Sequence, residues 1–226
     1  MLYYLIFILP AFLLSLFAQF KVKSTFSKYS QVRSARGYTG SDVASAILRK
    51  NGMSGQVSVE ATAGSLTDHY DPASKKVRLS EDVYGANSIA AIGVAAHEVG
   101  HAIQHNRQYA PLALRNSIVP MTNFASSASF PILLIGFFLN SFNLVMIGIL
   151  LFSAVVLFHI VTLPVELNAS RRAIAQLSES GLIYDNEVPM VKKVLGAAAF
   201  TYLAATLMAV ANLLYYVMIF AGGRDE

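Results

Sequence analysis

Between Leu2 and Phe20 the chain carries no charged residue and is interrupted only by Pro10, Ser15 and Gln19. A helix of that length just crosses a hydrocarbon layer about 30 Å thick. A cleaved signal peptide would need a basic start, a shorter apolar core and a small-x-small site. Here Lys21, Lys23 and Lys28 follow the apolar run, so an uncleaved anchor is expected. A second uncharged stretch runs from Asn116 to Val165. As one helix it would be about 75 Å long, more than twice one span. Polar Asn140, Ser141 and Asn143 therefore mark a tight turn between spans over roughly 119–139 and 142–163. A last uncharged stretch, 194–223, predicts a fourth span whose many Ala and Gly residues permit close helix packing.

The remaining segments carry the other periodicities. Ser41 to Asn51 reads as an amphipathic helix with Ser41 or Asp42 as cap, Val43, Ala44, Ile47 and Leu48 on one face, and Asn51-Gly52 as stop. Short strands are expected over 57–60, 66–70 and 77–79, the last two joined through a turn at Asp71-Pro72. A further helix starts near Asn87 or Ser88 and runs past Gln104. The expected organisation is a membrane anchor at 1–20 and a lobe at 21–117 that holds the hairpin and this helix. A two-span hairpin at 118–165, a helix at 166–193 and a last span at 194–223 follow. The lobe is too small to bury much core alone, so it should lean on the spans or the membrane surface. The fold class is thus mainly α: a polytopic helical membrane protein with a small α+β lobe.

Composition agrees. Of 226 residues 55% are hydrophobic and 13% charged, where soluble domains average about 25% charged. Of the 17 basic residues, 12 lie between Lys21 and Arg115, four between Arg171 and Lys193, and one is Arg224. With four spans the first two groups share one side, so the positive-inside tendency puts the lobe in the cytoplasm of a bacterial cell and both termini outside. The net charge of +4 then reports orientation, and the partners expected are a lipid bilayer and a protein or peptide substrate, which could be membrane-associated, with no nucleic acid. The number of copies that assemble is left open. The absence of Cys excludes thiolate metal sites, disulfides and cysteine nucleophiles, so any metal must use His and carboxylate.

Those residue types meet in His97-Glu98-Val99-Gly100-His101. Two His four apart share one helical face, so both imidazoles can reach one ion. Glu98 is rotated by about 100°, which lets it miss the metal and hold the nucleophilic water as general base. By chance the pattern arises about 0.003 times in a chain of this composition. A hydrolytic zinc site needs a third protein ligand. Position 107 is Arg, which excludes the metzincin arrangement, and three collinear His would span about 12 Å, which leaves His105 beside the substrate or at an interfacial helix end. Glu166 is the best remaining candidate. It follows Pro164 at the end of the third span, and two crossings after His101 return it to the same side; the blander role for it is an anchor paired with Arg171 or Arg172. His159, in a span, is either functional or a neutral histidine between helices. The 66–79 hairpin could hold an extended peptide by main-chain pairing or be structural, and Glu60, His69 and Asp71 are not assigned.

Taken together, His97 to His105, Asp68-His69-Tyr70-Asp71-Pro72, Val77-Arg78-Leu79-Ser80 and Leu163 to Arg172 resemble the YugP-type neutral zinc metallopeptidases of bacterial membranes. That family is distantly similar to the HtpX and CAAX prenyl protease groups. The resemblance covers nearly the whole chain and implies a membrane-embedded peptidase with one Zn2+ per chain, ligands His97, His101 and Glu166, and base Glu98. One departure stands out: where gluzincins often carry an Asp four residues after the ligand Glu to orient a ligand His, this chain has Ser170. Two other functions are open. Glu98 with His101 also forms the Glu-x-x-His element of di-iron bundles, although only one such element is present. The alternative is a weak or inactive membrane scaffold that binds protein partners. His105, Tyr109 and Tyr202 are candidate oxyanion donors.

Overall fold

The computed structural model describes residues 2–222. Gly223 and Arg224, which the span and charge arguments use, lie outside them. The chain is mainly helical, with helices α1 (Leu9–Ser30, preceded by a π-helical turn over Tyr4–Ile8), α2 (Gly40–Lys50), α3 (Glu81–Tyr84), α4 (Ile89–Asn106), α5 (Ala110–Phe138), α6 (Phe142–Glu179) and α7 (Val188–Gly222), and with strands β1 (Ser58–Thr62), β2 (His69–Asp71) and β3 (Lys76–Ser80). Among the described residues four helices are long and apolar enough to cross a membrane: Tyr4–Ser30, Ala110–Phe138, Phe142–Glu179 and Val188–Phe220. The chain divides into two compact units. One comprises the segment up to Gln19, Ala110–Pro164 and the segment from Phe200; the other comprises Phe20–Tyr109 and Val165–Ala199.

Among the described residues the first unit is apolar helix apart from the turn at 139–141. Leu133, Val145 and Ile149 form a small core joined by Leu213, Tyr216 and Phe220, and Ile8, Ala11 and Ala211 form another. Close packing of α5 on α6 depends on Gly148, where a Cβ would sit 2.6 Å from Leu133 Cγ. Asn140 makes the turn between those helices at φ 47°, a left-handed conformation that Asn tolerates. Phe124, Phe130, Phe138, Leu150 and Leu157 are exposed, as suits helices whose outer solvent is lipid.

The second unit holds the sheet, in the order β1-β3-β2. β1 runs parallel to β3, and β2 forms the antiparallel hairpin with it. The expected hairpin is present with its strands shifted: Leu66 has φ 59° and lies in the loop, because a branched side chain in that conformation cannot continue a strand. The cap of α2 also differs from expectation. Thr39 is the N-cap and forms a reciprocal capping box with Asp42, so Ser41 falls inside the helix. Ser88 caps α4 by accepting from Ala91 N at 3.1 Å.

One continuous core fills this unit, built from Val43, Ile47, Val77, Leu79, Val83, Ile89, Ile92 and Val99. It is closed by Ala173 and Leu177 of α6, Val191, Val194 and Leu195 of α7, and Tyr29 of α1. The span helices thus extend past their apolar runs and supply the buried surface that a lobe of this size could not assemble from its own residues.

Candidate metal centre

Hydrophobic pattern dictates where α4 lies. Ile89, Ala90, Ala91, Ile92, Ala95, Val99 and Ala102 are fully buried, so the helix runs through the core and any polar residue on it must find a partner. Small residues let α6 come close. At Gly100 a Cβ would stand 2.6 Å from the Ala169 carbonyl oxygen, so no other residue permits this approach of the two helices. Ala169 lies three positions after Glu166, and the contact holds that carboxylate against the histidine face of α4.

The result is a convergence of His97, His101 and Glu166, whose donor atoms all lie within 4.8 Å of one another. Glu166 Oε2 is 3.3 Å from His97 Nε2 and 3.3 Å from His101 Nε2. Ligands about 2.0–2.1 Å from a shared tetrahedral centre stand about 3.4 Å apart, so the spacing suits one small divalent ion. The Glu166 side chain is 3% exposed, while those of His97 and His101 keep 13% and 12%. That leaves an open side from which water can reach the donors.

The imidazole Nδ1 atoms face away from this point and are held. Gln104 is fully buried and approaches the Val165 carbonyl oxygen at 2.8 Å and Asn168 Oδ1 at 3.0 Å through Nε2. A carbonyl only accepts, so that end of Gln104 is its amide NH2 and the other end is its carbonyl. Its Oε1 lies 3.0 Å from His101 Nδ1, which must therefore carry the proton. With Nδ1–H committed to Gln104, His101 meets the Glu166 carboxylate through Nε2, and a positive charge, either a proton on Nε2 or a metal ion bound by both atoms, satisfies a pair 3.3 Å apart in a buried site. Burial lowers the pKa of His101, but Glu166, Glu98 and Gln104 outweigh it and push it up, so the site favours a positive charge that a proton or a metal ion can supply. Histidine nitrogens held at Nδ1 and directed through Nε2 are the arrangement of protein-bound zinc, so the residues fit that ion.

Ser170 stands where an Asp was noted as missing. Its Oγ lies 3.2 Å from His97 Nδ1, so the hydroxyl takes up the orienting contact as a neutral group. Glu98 is buried on the same helix, one position after His97 and three before His101. His105 is not in the cluster. Its Nδ1 meets the Tyr70 hydroxyl at 2.8 Å, which ties the end of α4 to β2. Glu60, Asp71 and His69 serve the sheet: Arg78 donates to Glu60 at 2.8 Å and to Asp71 at 2.9 Å, and His69 Nδ1 contacts the Thr67 carbonyl at 2.7 Å. Arg172 donates to Asn168 at 2.7 Å, while Glu166 meets the two histidines. Tyr109 stacks beneath the Arg172 guanidinium at 5.9 Å. His159 and Tyr202 lie in the other unit.

Sequence reading missed Gln104 and Asn168 as functional side chains. A signal for Gln104 existed, since it lies three residues after His101 on the same helical face. Asn168 gave none, because its role depends on the packing of α6 against α4.

A family model described as "Putative neutral zinc metallopeptidase" matches residues 4–221. The chain belongs to this family. Among curated relatives, a protein named "Putative membrane protease YugP" from Bacillus subtilis (strain 168) is 54% identical over 213 residues, 94% of each chain. No solved structure matches this chain. For the neutral zinc metallopeptidase family, the name accounts for a three-residue metal centre on apolar helices, and the resemblance drawn from the motifs agrees with it.

Proposed function

We propose that this chain is a membrane-embedded zinc endopeptidase with one Zn2+ held by His97, His101 and Glu166. The observation that carries the reading is the tautomer argument. Gln104 commits His101 Nδ1 to donation, and so turns its Nε2 toward the point where a second imidazole nitrogen and one carboxylate also meet. When bound, zinc supplies Lewis acidity that polarises a carbonyl and acidifies a water. Glu98 takes the proton of the attacking water and delivers it to the leaving amine nitrogen, as a general base that becomes a general acid. Burial of Glu98 and Glu166 keeps bulk water from screening these charges.

The substrate is a protein or peptide. β2 is an edge strand of the sheet, tied to α4 through Tyr70 and His105, and its open edge suits main-chain pairing with an extended segment. The lobe faces the cytoplasm and both termini lie outside, on the distribution of basic residues, in the cell membrane of a bacterium.

The test is metal content and proteolysis of the full chain purified in detergent. Wild type should hold one zinc per chain and cleave casein or members of a peptide library. Glu98→Gln should retain zinc and lose at least about 100-fold in rate. Full zinc with undiminished cleavage by Glu98→Gln would remove Glu98 from the mechanism; two irons per chain, or no hydrolysis by wild type, would remove the peptidase reading. A reporter fused after Asn140 should appear outside the cell.

A further inference from the structure

The turn that ends α4 is closed by two backbone bonds. Gln108 N donates to the His105 carbonyl at 3.1 Å and Tyr109 N to the Gln104 carbonyl at 2.9 Å, the bonds that terminate a helix on a residue in the left-handed region. That residue is Gln108, at φ 51°, a conformation uncommon outside glycine. The turn fixes where Arg107 and Tyr109 leave the helix. Tyr109 sets its ring 5.9 Å from Arg172 Cζ, and Asn168 Oδ1 accepts from Arg172 Nε at 2.7 Å. The same Asn168 oxygen accepts from Gln104, whose other end orients His101. All of these residues belong to the second unit.

The half-buried Arg172 guanidinium is thus held at Nε and against a ring, while its two Nη groups make no hydrogen bond among the described residues. Arg107 is exposed and close enough to repel it. Among the described residues no carboxylate forms an ion pair with either arginine. Two guanidinium groups brought together against their own repulsion present a fork of donors whose complement is a carboxylate or a phosphate.

Position separates the two. Val165 ends the uncharged run, and Arg172 lies seven residues beyond it on the same helix, about 10 Å further along. The polar layer on each side of the hydrocarbon is about 5–7 Å deep, so the pair stands past the lipid phosphates. Measured from the ligand Glu166, Arg172 is six residues away, about 9 Å. An extended peptide advances about 3.3 Å per residue, which puts the pair within reach of a group about three residues from the bond attacked.

We propose that Arg107 and Arg172 form a subsite for a carboxylate of the peptide substrate, either an Asp or Glu side chain or the C-terminal carboxylate. The inference rests on the peptidase reading and adds a preference for acidic peptides to it.

The experiment gives the full chain, zinc-loaded in neutral detergent, fluorogenic peptides with Asp or Asn at each position in turn and a free or amidated C-terminus. Rates are read as kcat/KM, and binding of the same peptides to Glu98→Gln by fluorescence anisotropy. Wild type should favour the acidic member of one pair by about 10–100-fold. A preference for internal Asp assigns a side chain; a preference for the free C-terminus assigns the terminal carboxylate. Arg107→Gln with Arg172→Gln should bring the ratio to within about threefold of one. Arg107→Gln alone has no hydrogen bond to lose, and should still lower the ratio at least about threefold. Arg171→Gln removes the same charge at an exposed position about 100° round α6, and should leave the ratio within about twofold. Because the ratio compares two peptides on one preparation, partial loss of folded enzyme does not alter it. Cleavage by wild type without acid preference, a preference that survives the double substitution, or an equal fall in Arg171→Gln would overturn the proposal and leave the peptidase reading intact. Acid-selective binding without any cleavage would overturn the peptidase reading and retain the carboxylate site; no selectivity in either readout and no cleavage would overturn both. Phosphatidylglycerol retained saturably by wild type and lost on the double substitution, with no acid preference among peptides, would reassign the pair to a lipid headgroup and overturn the proposal.

Discussion

Replacing Gln104 by Leu keeps the volume of a fully buried side chain and deletes three contacts: 2.8 Å to the Val165 carbonyl, 3.0 Å to Asn168 and 3.0 Å from His101 Nδ1. Asn168 keeps its bond from Arg172. The His101 Nδ1–H is then buried without an acceptor, at a cost of about 1–3 kcal/mol. Its ring is also freed to rotate or change tautomer, and loss of such an orienting contact weakens metal binding about 10–100-fold. At saturating zinc a hundredfold loss removes about 2.7 kcal/mol of metal-linked stability. Gln104→Glu separates orientation from packing. Its carboxylate still accepts from His101 but faces the Val165 carbonyl, so it should unfold earlier while each folded molecule binds zinc about as tightly as wild type. Zinc affinity, measured by competition with a chelator series, and melting with and without zinc supply the readout. Gln104→Leu should lose affinity and most of the zinc-dependent rise in melting temperature; Gln104→Glu should lose only the metal-free stability. Wild-type zinc affinity in Gln104→Leu would refute the tautomer argument and with it the main support for the metal centre.

Other expectations follow from the same contacts. Gly100→Ala forces a Cβ to within 2.6 Å of the Ala169 carbonyl; overpacking of this kind costs about 1–3 kcal/mol, and separation of α6 should lower zinc occupancy, read by metal analysis of the folded fraction. Ser170→Asp should tighten zinc binding by placing a charged acceptor on His97 Nδ1, whereas Ser170→Ala should weaken it by up to about tenfold; reversal of that order would show that the 3.2 Å contact does not orient the ring. Bonds from Ser74 and Arg78 hold Asp71 well below the usual carboxylate range, and bonds from Lys76 and Arg78 lower Glu60. A folded-state value below the unfolded one means stabilisation that is complete above about pH 5 and lost progressively as pH falls through the unfolded and then the folded value. Thermal melts should therefore shift downward on acidification below about pH 5, with a shallower slope for Asp71→Asn, and an unchanged slope would exclude this ladder as a source of acid sensitivity.

The spans were legible because each is a one-dimensional fact. Runs without charge, and the polar group at Asn140, need no tertiary information, and the structure ends α5 and begins α6 around that turn. Helix ends were less legible. α1 continues through Lys21 to Ser30, and α6 through Glu166 to Glu179, because charged residues stop a hydrocarbon span without stopping a helix. Choosing Thr39 over Ser41 as the cap of α2 depended on the reciprocal bond with Asp42, which the sequence permits at more than one register. The strands were found, but not that β1 pairs in parallel with β3, since strand order is set by what the core of the second unit can cover.

The histidine pair was readable from spacing, and Glu166 from its place after an even number of crossings, but the feature that makes the three converge was not. It consists of an absence and an amide. Gly100 has no Cβ, so α6 approaches α4 at Ala169; Gln104 then reaches across to the Val165 carbonyl and to Asn168. Each residue is ordinary in its own helix, and neither carries a charge or a metal-ligating atom that would single it out. Their effect is a joint one: the missing methyl sets the distance between helices, and the amide converts that distance into a tautomer. The departure at Ser170 is tolerable for the same reason. Once α6 is held this close, a neutral hydroxyl 3.2 Å from His97 Nδ1 occupies the place where a carboxylate was expected, without a third buried carboxylate beside Glu98 and Glu166 to raise the electrostatic cost of the centre.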